Sequence, residues 1–223
     1  MGTGPYKATS FQPDSKAVFE KSGTWWGGDT PAQKIEFDFF SDENARLLAQ
    51  RSGQIDIATQ LPTDQVSQFE SIDGVKVLTE SDRSYVGLTF DQGVAPCDDI
   101  HVRKAVAHAV DRKAIVESIL KGRGEVATAI EPNDQLGSEI GIDKARELQA
   151  HLPIDSFSMD QARAELAQSK VPNGFDTELT YPASIPEMGS AALAIADNLK
   201  QIGINVQVTS KPIDEWIPKE GNG

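Results

Sequence analysis

A chain of 223 residues with 39% apolar and 25% charged side chains can fill a core, so disorder is not the default reading. Its 21 Lys and Arg against 34 Asp and Glu leave a formal net charge of −13. That balance argues against a nucleic-acid surface, where basic side chains neutralise phosphates, and against a polybasic membrane patch.

Tyr6 to Phe11 and Ala17 to Lys21 read as short strands around the Gln12-Pro13-Asp14-Ser15 turn. A glycine-rich break from Gly23 to Gly28 follows. Ile35, Phe37 and Phe39 then alternate with Glu36 and Asp38, the period of a half-buried strand. Ser41 is expected to cap a helix with Asp42 and Glu43 in its first turn and Gly53 at its end. Ile55 to Ala58 is expected as a strand. Thr63-Asp64 is expected to cap a small helix through Val66 and Phe69. Val75 to Leu78 and Tyr85 to Phe90 are expected as two further strands.

Longer helices follow. Asp99 is placed to cap a helix from Ile100, with Val102, Ala105, Val106 and Ala109 on one face. Asp111 caps a second, carrying Ile115, Val116, Ile119 and Leu120. Residues 124–157 have weak periodicity. Ser158 precedes a helix over Met159 to Ala167, and Phe175 to Tyr181 alternates like a strand. Ser184 and Glu187 have capping-box spacing before a helix with Met188, Ala192, Ile195, Leu199 and Ile202 on its apolar face. Gly203 closes that helix and Ile204 to Val208 forms a strand, so this unit implies a crossover onto a parallel neighbour.

Chemical motifs are sparse. Cys97 is a single cysteine and cannot form an internal disulfide. Gly2-Thr3-Gly4 lacks the third glycine and the helix of a phosphate loop, and neither a Gly-x-Ser-x-Gly elbow nor a His-Glu-x-x-His helix occurs. His101 and His108 are seven residues apart, too far to chelate as an i, i+4 pair; with His151 they read as ordinary residues. Asp98-Asp99 are adjacent, whereas a catalytic pair must converge from separate segments. Trp25-Trp26 reads either as an aromatic platform or as packing in a glycine-rich turn, with the glycines favouring packing. The longest uncharged and mostly apolar stretch, Met188 to Ala196, is too short to span a bilayer, and no signal peptide opens the chain. No catalytic residue, metal ligand or cofactor is expected.

Five stretches carry a resemblance. Gly2-Thr3-Gly4-Pro5-Tyr6-Lys7 comes first, then Trp25-Trp26-Gly27-Gly28, with Ser22-Gly23 where Asn-Pro is usual. Asn44-Ala45-Arg46 through Gln50 to Asp56 is the third. Asp99 to Val116 is the fourth, and Asn198 to Val208, followed by Glu215-Trp216, is the fifth. In this order they resemble the extracytoplasmic solute-binding proteins of peptide- and nickel-type ABC transporters, the oligopeptide/dipeptide-binding family 5. The resemblance implies an α/β, periplasmic-binding-protein-like fold (type II, two-lobed) with mixed sheets and flanking helices. It also implies an internal fragment of a longer chain, with the signal segment elsewhere. Residues 1–83 would be part of the first lobe. Residues 84–223 would open the second, entered through a crossover strand near 85–91.

The implied role is non-enzymatic. A bacterial importer's binding component captures a short peptide, or a similar small solute such as a nickel chelate or sugar, by hinge closure and delivers it to ABC permease subunits. It would be a monomer in the periplasm, or lipid-anchored at the outer face of the membrane, with no nucleic-acid partner and no cofactor. By position in the family, Thr59 and Gln60 would line the cleft from the loop after Ile57, and Tyr85, Val86 and Leu88 from the crossover strand. Thr59 and Gln60 offer donors and acceptors to a peptide backbone, and Tyr85 a ring face with a polar tip. From the residues alone, Val86 and Leu88 are equally plain strand core. Two rivals remain at this level. A carboxylate-dependent hydrolase needs a converging, buried Asp/Glu pair, and a ligand-free interaction module needs a single core with no cleft.

Overall fold

The computed structural model describes residues 2–23, 25–80 and 84–220. The chain divides into two compact units, Met1–Val77 and Leu78–Gly223. The boundary expected after residue 83 adjoins residues 81–83, which lie outside those described.

In the first unit, β1 (Tyr6–Gln12), β2 (Lys16–Lys21) and β3 (Lys34–Asp38) form an antiparallel sheet in that order. Asp14 makes the β1–β2 turn with φ +57°, a conformation that Asp tolerates better than most residues. Phe19 and Phe37 pack edge to face with centroids 5.6 Å apart. Lys16 stands opposite Asp38 in the β2–β3 register, and its Nζ reaches Glu36 at 2.8 Å and Asp38 at 3.1 Å. Lys34 ion-pairs with the other Glu36 oxygen.

The hydrogen bond from Lys16, then that from Lys34, pulls the Glu36 carboxyl from 4.5 down to about 2. A lowered carboxyl stabilises the folded form above its unfolded value, and that contribution disappears as pH falls through the folded value. We therefore expect an acid-induced loss of β2–β3 stability between about pH 4.5 and 2, diminished in Glu36→Gln and by added salt. Amide exchange in β3 followed down this range checks it, and identical profiles for the two proteins would contradict it.

Helix α1 (Glu43–Arg51) starts one residue later than expected. Asp42 is the cap, with its carboxylate accepting from Ala45 N at 2.8 Å. An aspartate at this position adds a favourable charge at the dipole's positive end, which Ser41 could not. Helix α2 (Val66–Glu70) has Gln65 at its cap position, without a side-chain cap bond, rather than Thr63 or Asp64. Its Val66 and Phe69 are buried, α1 packs against it, and Leu47 and Ala49 are buried on α1. Ile55 to Ala58 and Val75 to Leu78 are not strands: neither has a ladder partner among the described residues.

In the second unit, α3 (Ile100–Ala109) is capped by Asp99, which accepts from His101 N at 2.9 Å. The other Asp99 oxygen accepts from Lys170 N at 2.8 Å, and Asp98 ion-pairs with Lys170 Nζ at 2.9 Å. The adjacent carboxylates thus tie a helix start to a distant loop. Asp111 caps α4 (Arg112–Ala114), but the chain continues as a π-helical turn, Ile115–Ile119, instead of the regular helix expected. Residues 124–157, unreadable from periodicity, hold α5 (Asn133–Ile140) and α6 (Ile142–Ala150). Helix α7 (Met159–Ala167) has Ser158 as its cap.

Strands β4 (Asp176–Pro182) and β5 (Asn205–Lys211) pair in parallel, with α8 (Pro186–Lys200) as the crossover, and α9 (Ile213–Glu220) follows. The capping box does not form. Ile185 is the cap and Pro186 takes the first helical position, where its fixed φ and missing N–H cost nothing.

The core of this unit joins Ala105, Val106 and Ala109 of α3, Ala162 and Leu166 of α7, Ile195 and Leu199 of α8, and Ile204. The alanines leave room for α3 and α7 to approach closely. His101 Nδ1 meets Glu165 at 2.7 Å and His108 Nδ1 meets Ser156 O at 2.8 Å, so both histidines brace α3 against its neighbours. Tyr85 to Phe90, expected as a strand, has no ladder partner among the described residues. No described helix is long and apolar enough to cross a membrane.

Candidate functional site

Two side chains of α1 organise the loop that follows it. After Arg51 the chain turns at Gly53, whose φ of +70° is open to glycine. Gln50 Nε2 then donates to Ile55 O at 3.2 Å. Arg46, one turn earlier on the same helical face, donates from its two terminal nitrogens to Thr59 O at 3.0 Å and Gln60 O at 3.1 Å. Glu43, a further turn back, ion-pairs with the same guanidinium. Gln60 itself sits at φ +54°. The Thr59 and Gln60 side chains are exposed. The loop therefore presents a hydroxyl and an amide outward while its carbonyls are held from below. Thr59 and Gln60 are the residues that the family resemblance points to; Arg46, which holds their carbonyls, stands in the Asn44-Ala45-Arg46 stretch of that resemblance but is assigned no role there.

In the second unit Tyr85 is 53% and Val86 67% exposed. Leu88 and Phe90 pack against the core of that unit, and the alternation continues with Thr89 exposed. Leu88 therefore packs inward, whereas Val86, which the plain-core reading grouped with it, does not. It lines an apolar groove of about 350 Å³ with Phe90, Val102, Phe175, Leu179 and Val206. Cys97 borders the same groove, and burial pushes its thiol up, so it is not an activated nucleophile.

Trp25 and Trp26 both donate to Thr3 O, at 2.7 and 3.2 Å, with ring centroids 5.3 Å apart. A Cβ on Gly27 would lie 2.3 Å from the Trp25 ring. Trp25 thus packs into the turn, while Trp26 is 83% exposed.

A family model described as "Bacterial extracellular solute-binding proteins, family 5 Middle" matches residues 1–222. The chain belongs to this family. Family 5 relatives share the fold over nearly all of its length. The periplasmic binding protein DppA of Helicobacter pylori, associated with an ABC transporter and solved with the peptide STSA, superimposes with a TM-score of 0.82 at 23% identity, covering 100% of this chain and 41% of DppA. The dipeptide-binding protein of Pseudoalteromonas sp. SM9913, solved with Met-Leu, gives 0.82 at 21% identity, covering 99% and 42%. Protein XP55 of Streptomyces lividans is 30% identical over 208 residues, 93% of this chain and 38% of XP55. The fold is that of the periplasmic binding proteins, and the chain spans about two-fifths of the length of these relatives.

Proposed function

We propose that this chain is part of the solute-binding component of a bacterial ABC importer and that the solute is a short peptide. The observation that carries the reading is the family 5 match over residues 1–222. Two structural neighbours solved with peptides support the solute class. The chemistry of the exposed segments agrees: Thr59 and Gln60 can exchange hydrogen bonds with a peptide backbone, and Tyr85 and Val86 can cover apolar side chains. On this reading residues 1–83 belong to the first lobe and residues 84–223 to the second, close to the division of the compact units after Val77.

The protein breaks no bond. The adjacent carboxylates Asp98 and Asp99 are engaged with Lys170 and the start of α3, which argues against a carboxylate hydrolase. It works as a monomer outside the cytoplasm, free in a periplasm or anchored by lipid, and hands its solute to permease subunits.

Native mass spectrometry of the full-length protein with an equimolar random tetrapeptide pool tests this. One peptide per protein is expected, with apparent affinity for the pool roughly ten-fold weaker in Tyr85→Ala, the scale of losing one aromatic anchor. No peptide bound by the wild type would sink the reading, and an unchanged Tyr85→Ala would remove that residue from the site.

A further inference from the structure

We propose that Arg46 is the positioning residue of the Thr59–Gln60 solute contact, holding the loop's backbone in the one conformation that presents both side chains. The inference rests on the reading that these two residues touch the solute. In extended backbone, successive carbonyls point to opposite sides, so one cation cannot hold both. Here the Thr59 and Gln60 carbonyls converge on one guanidinium, at 3.0 and 3.1 Å. Gln60 at φ +54° occupies the left-handed region that a long side chain rarely adopts. Such residues persist where their surroundings over-determine them, and they cluster at ligand clamps.

The surroundings supply that constraint. A guanidinium is a rigid planar fork, so it can serve two acceptors at a fixed spacing where an ammonium serves them only as a point charge. Its Nε is buried with no hydrogen-bond partner among the described residues, so the two carbonyls and Glu43 account for its placement. Glu43, Arg46 and Gln50 line one face of α1 at i, i+3 and i+7, and Asp42 anchors that helix at its start. A loop without regular structure is thereby tied at Ile55, Thr59 and Gln60 to one rigid element. Solute binding then need not meet the entropy of ordering it.

The test uses the full-length protein and the random tetrapeptide pool, with apparent affinity read by native mass spectrometry and folding by thermal melting. Arg46→Met keeps the aliphatic stem and removes every donor; roughly ten-fold weaker binding is expected. Arg46→Lys should fall between Met and the wild type. In a Gln60→Gly background, where the left-handed conformation needs no holding, Arg46→Met should weaken the remaining binding less than two-fold, because residues acting through one another are not additive. A folded Arg46→Met that binds like the wild type overturns the inference, as does an equal cost in both backgrounds. If Arg46→Met fails to fold, Arg46→Lys decides: weaker binding with an unchanged melting point supports the role, and unchanged binding overturns it. No binding by the wild type sinks the peptide reading and this inference with it, whereas normal wild-type binding with unaltered variants sinks this inference alone.

Discussion

Gly174→Ala is expected to destabilise the second unit by about 3 kcal/mol, the sum of left-handed strain and of overpacking. Gly174 lies just before β4 at φ +90°, and a Cβ built there would be 1.9 Å from Gly203 O and 2.4 Å from its carbonyl carbon. Gly203, at φ +89°, lies just before β5. The two turns that launch the parallel strands therefore touch backbone to backbone, and neither can yield without shifting a strand. Gly141 is the control. It has the same φ of +90° but nothing within 4 Å of its Cβ position, so Gly141→Ala carries the strain without the clash. Urea unfolding should show Gly174→Ala costing more than Gly141→Ala by about 1–3 kcal/mol. Equal costs would mean that the close approach of the two turns is not rigid.

Phe69→Ala is expected to cost about 3–5 kcal/mol, as large-to-small changes at fully buried aromatics do. Phe69 is 1% exposed, and among the described residues the other buried apolar side chains of this unit are few: Ala17, Leu47, Ala49 and Val66. A core this thin cannot redistribute the loss, and the whole stability of a domain is only about 5–15 kcal/mol. Hydrogen exchange should speed up across α1 and α2 together, and with them at residues 55–60, because Arg46 and Gln50 hold that loop from α1. Acceleration in α2 alone would show that α1 and the loop do not depend on this core.

Strand and helix were legible where one residue type announces a local event. The strand β3 was readable because Ile35 and Phe37 alternate with Glu36 and Asp38. The helices after Asp99 and Ser158 were readable because each cap sits directly before an apolar period, whereas after Asp111 only the cap was read correctly and the chain runs on as a π-helical turn. Reading failed where two signals competed within a residue or two. Asp42 displaced Ser41, and Pro186 displaced the capping box of Ser184 and Glu187. It failed also where a short apolar run has no ladder partner among the described residues. Ile55 to Ala58, Val75 to Leu78 and Tyr85 to Phe90 have strand composition, but a strand exists only with a neighbour, and pairing is not written in a single segment. Thr59 and Gln60 were placed by resemblance to family 5. Arg46, which holds their carbonyls, could be placed on α1 but not paired with them, because a contact spanning thirteen residues leaves no periodic trace.

We propose that the full-length protein binds a short peptide and leaves it intact. Incubating it with the random tetrapeptide pool, then separating bound from free peptide and weighing both by mass spectrometry, tests this in one measurement. Close to one intact tetrapeptide per protein and an unchanged free pool are expected. Shortened peptides in the free fraction that grow with time, or no peptide in the bound fraction, would contradict it.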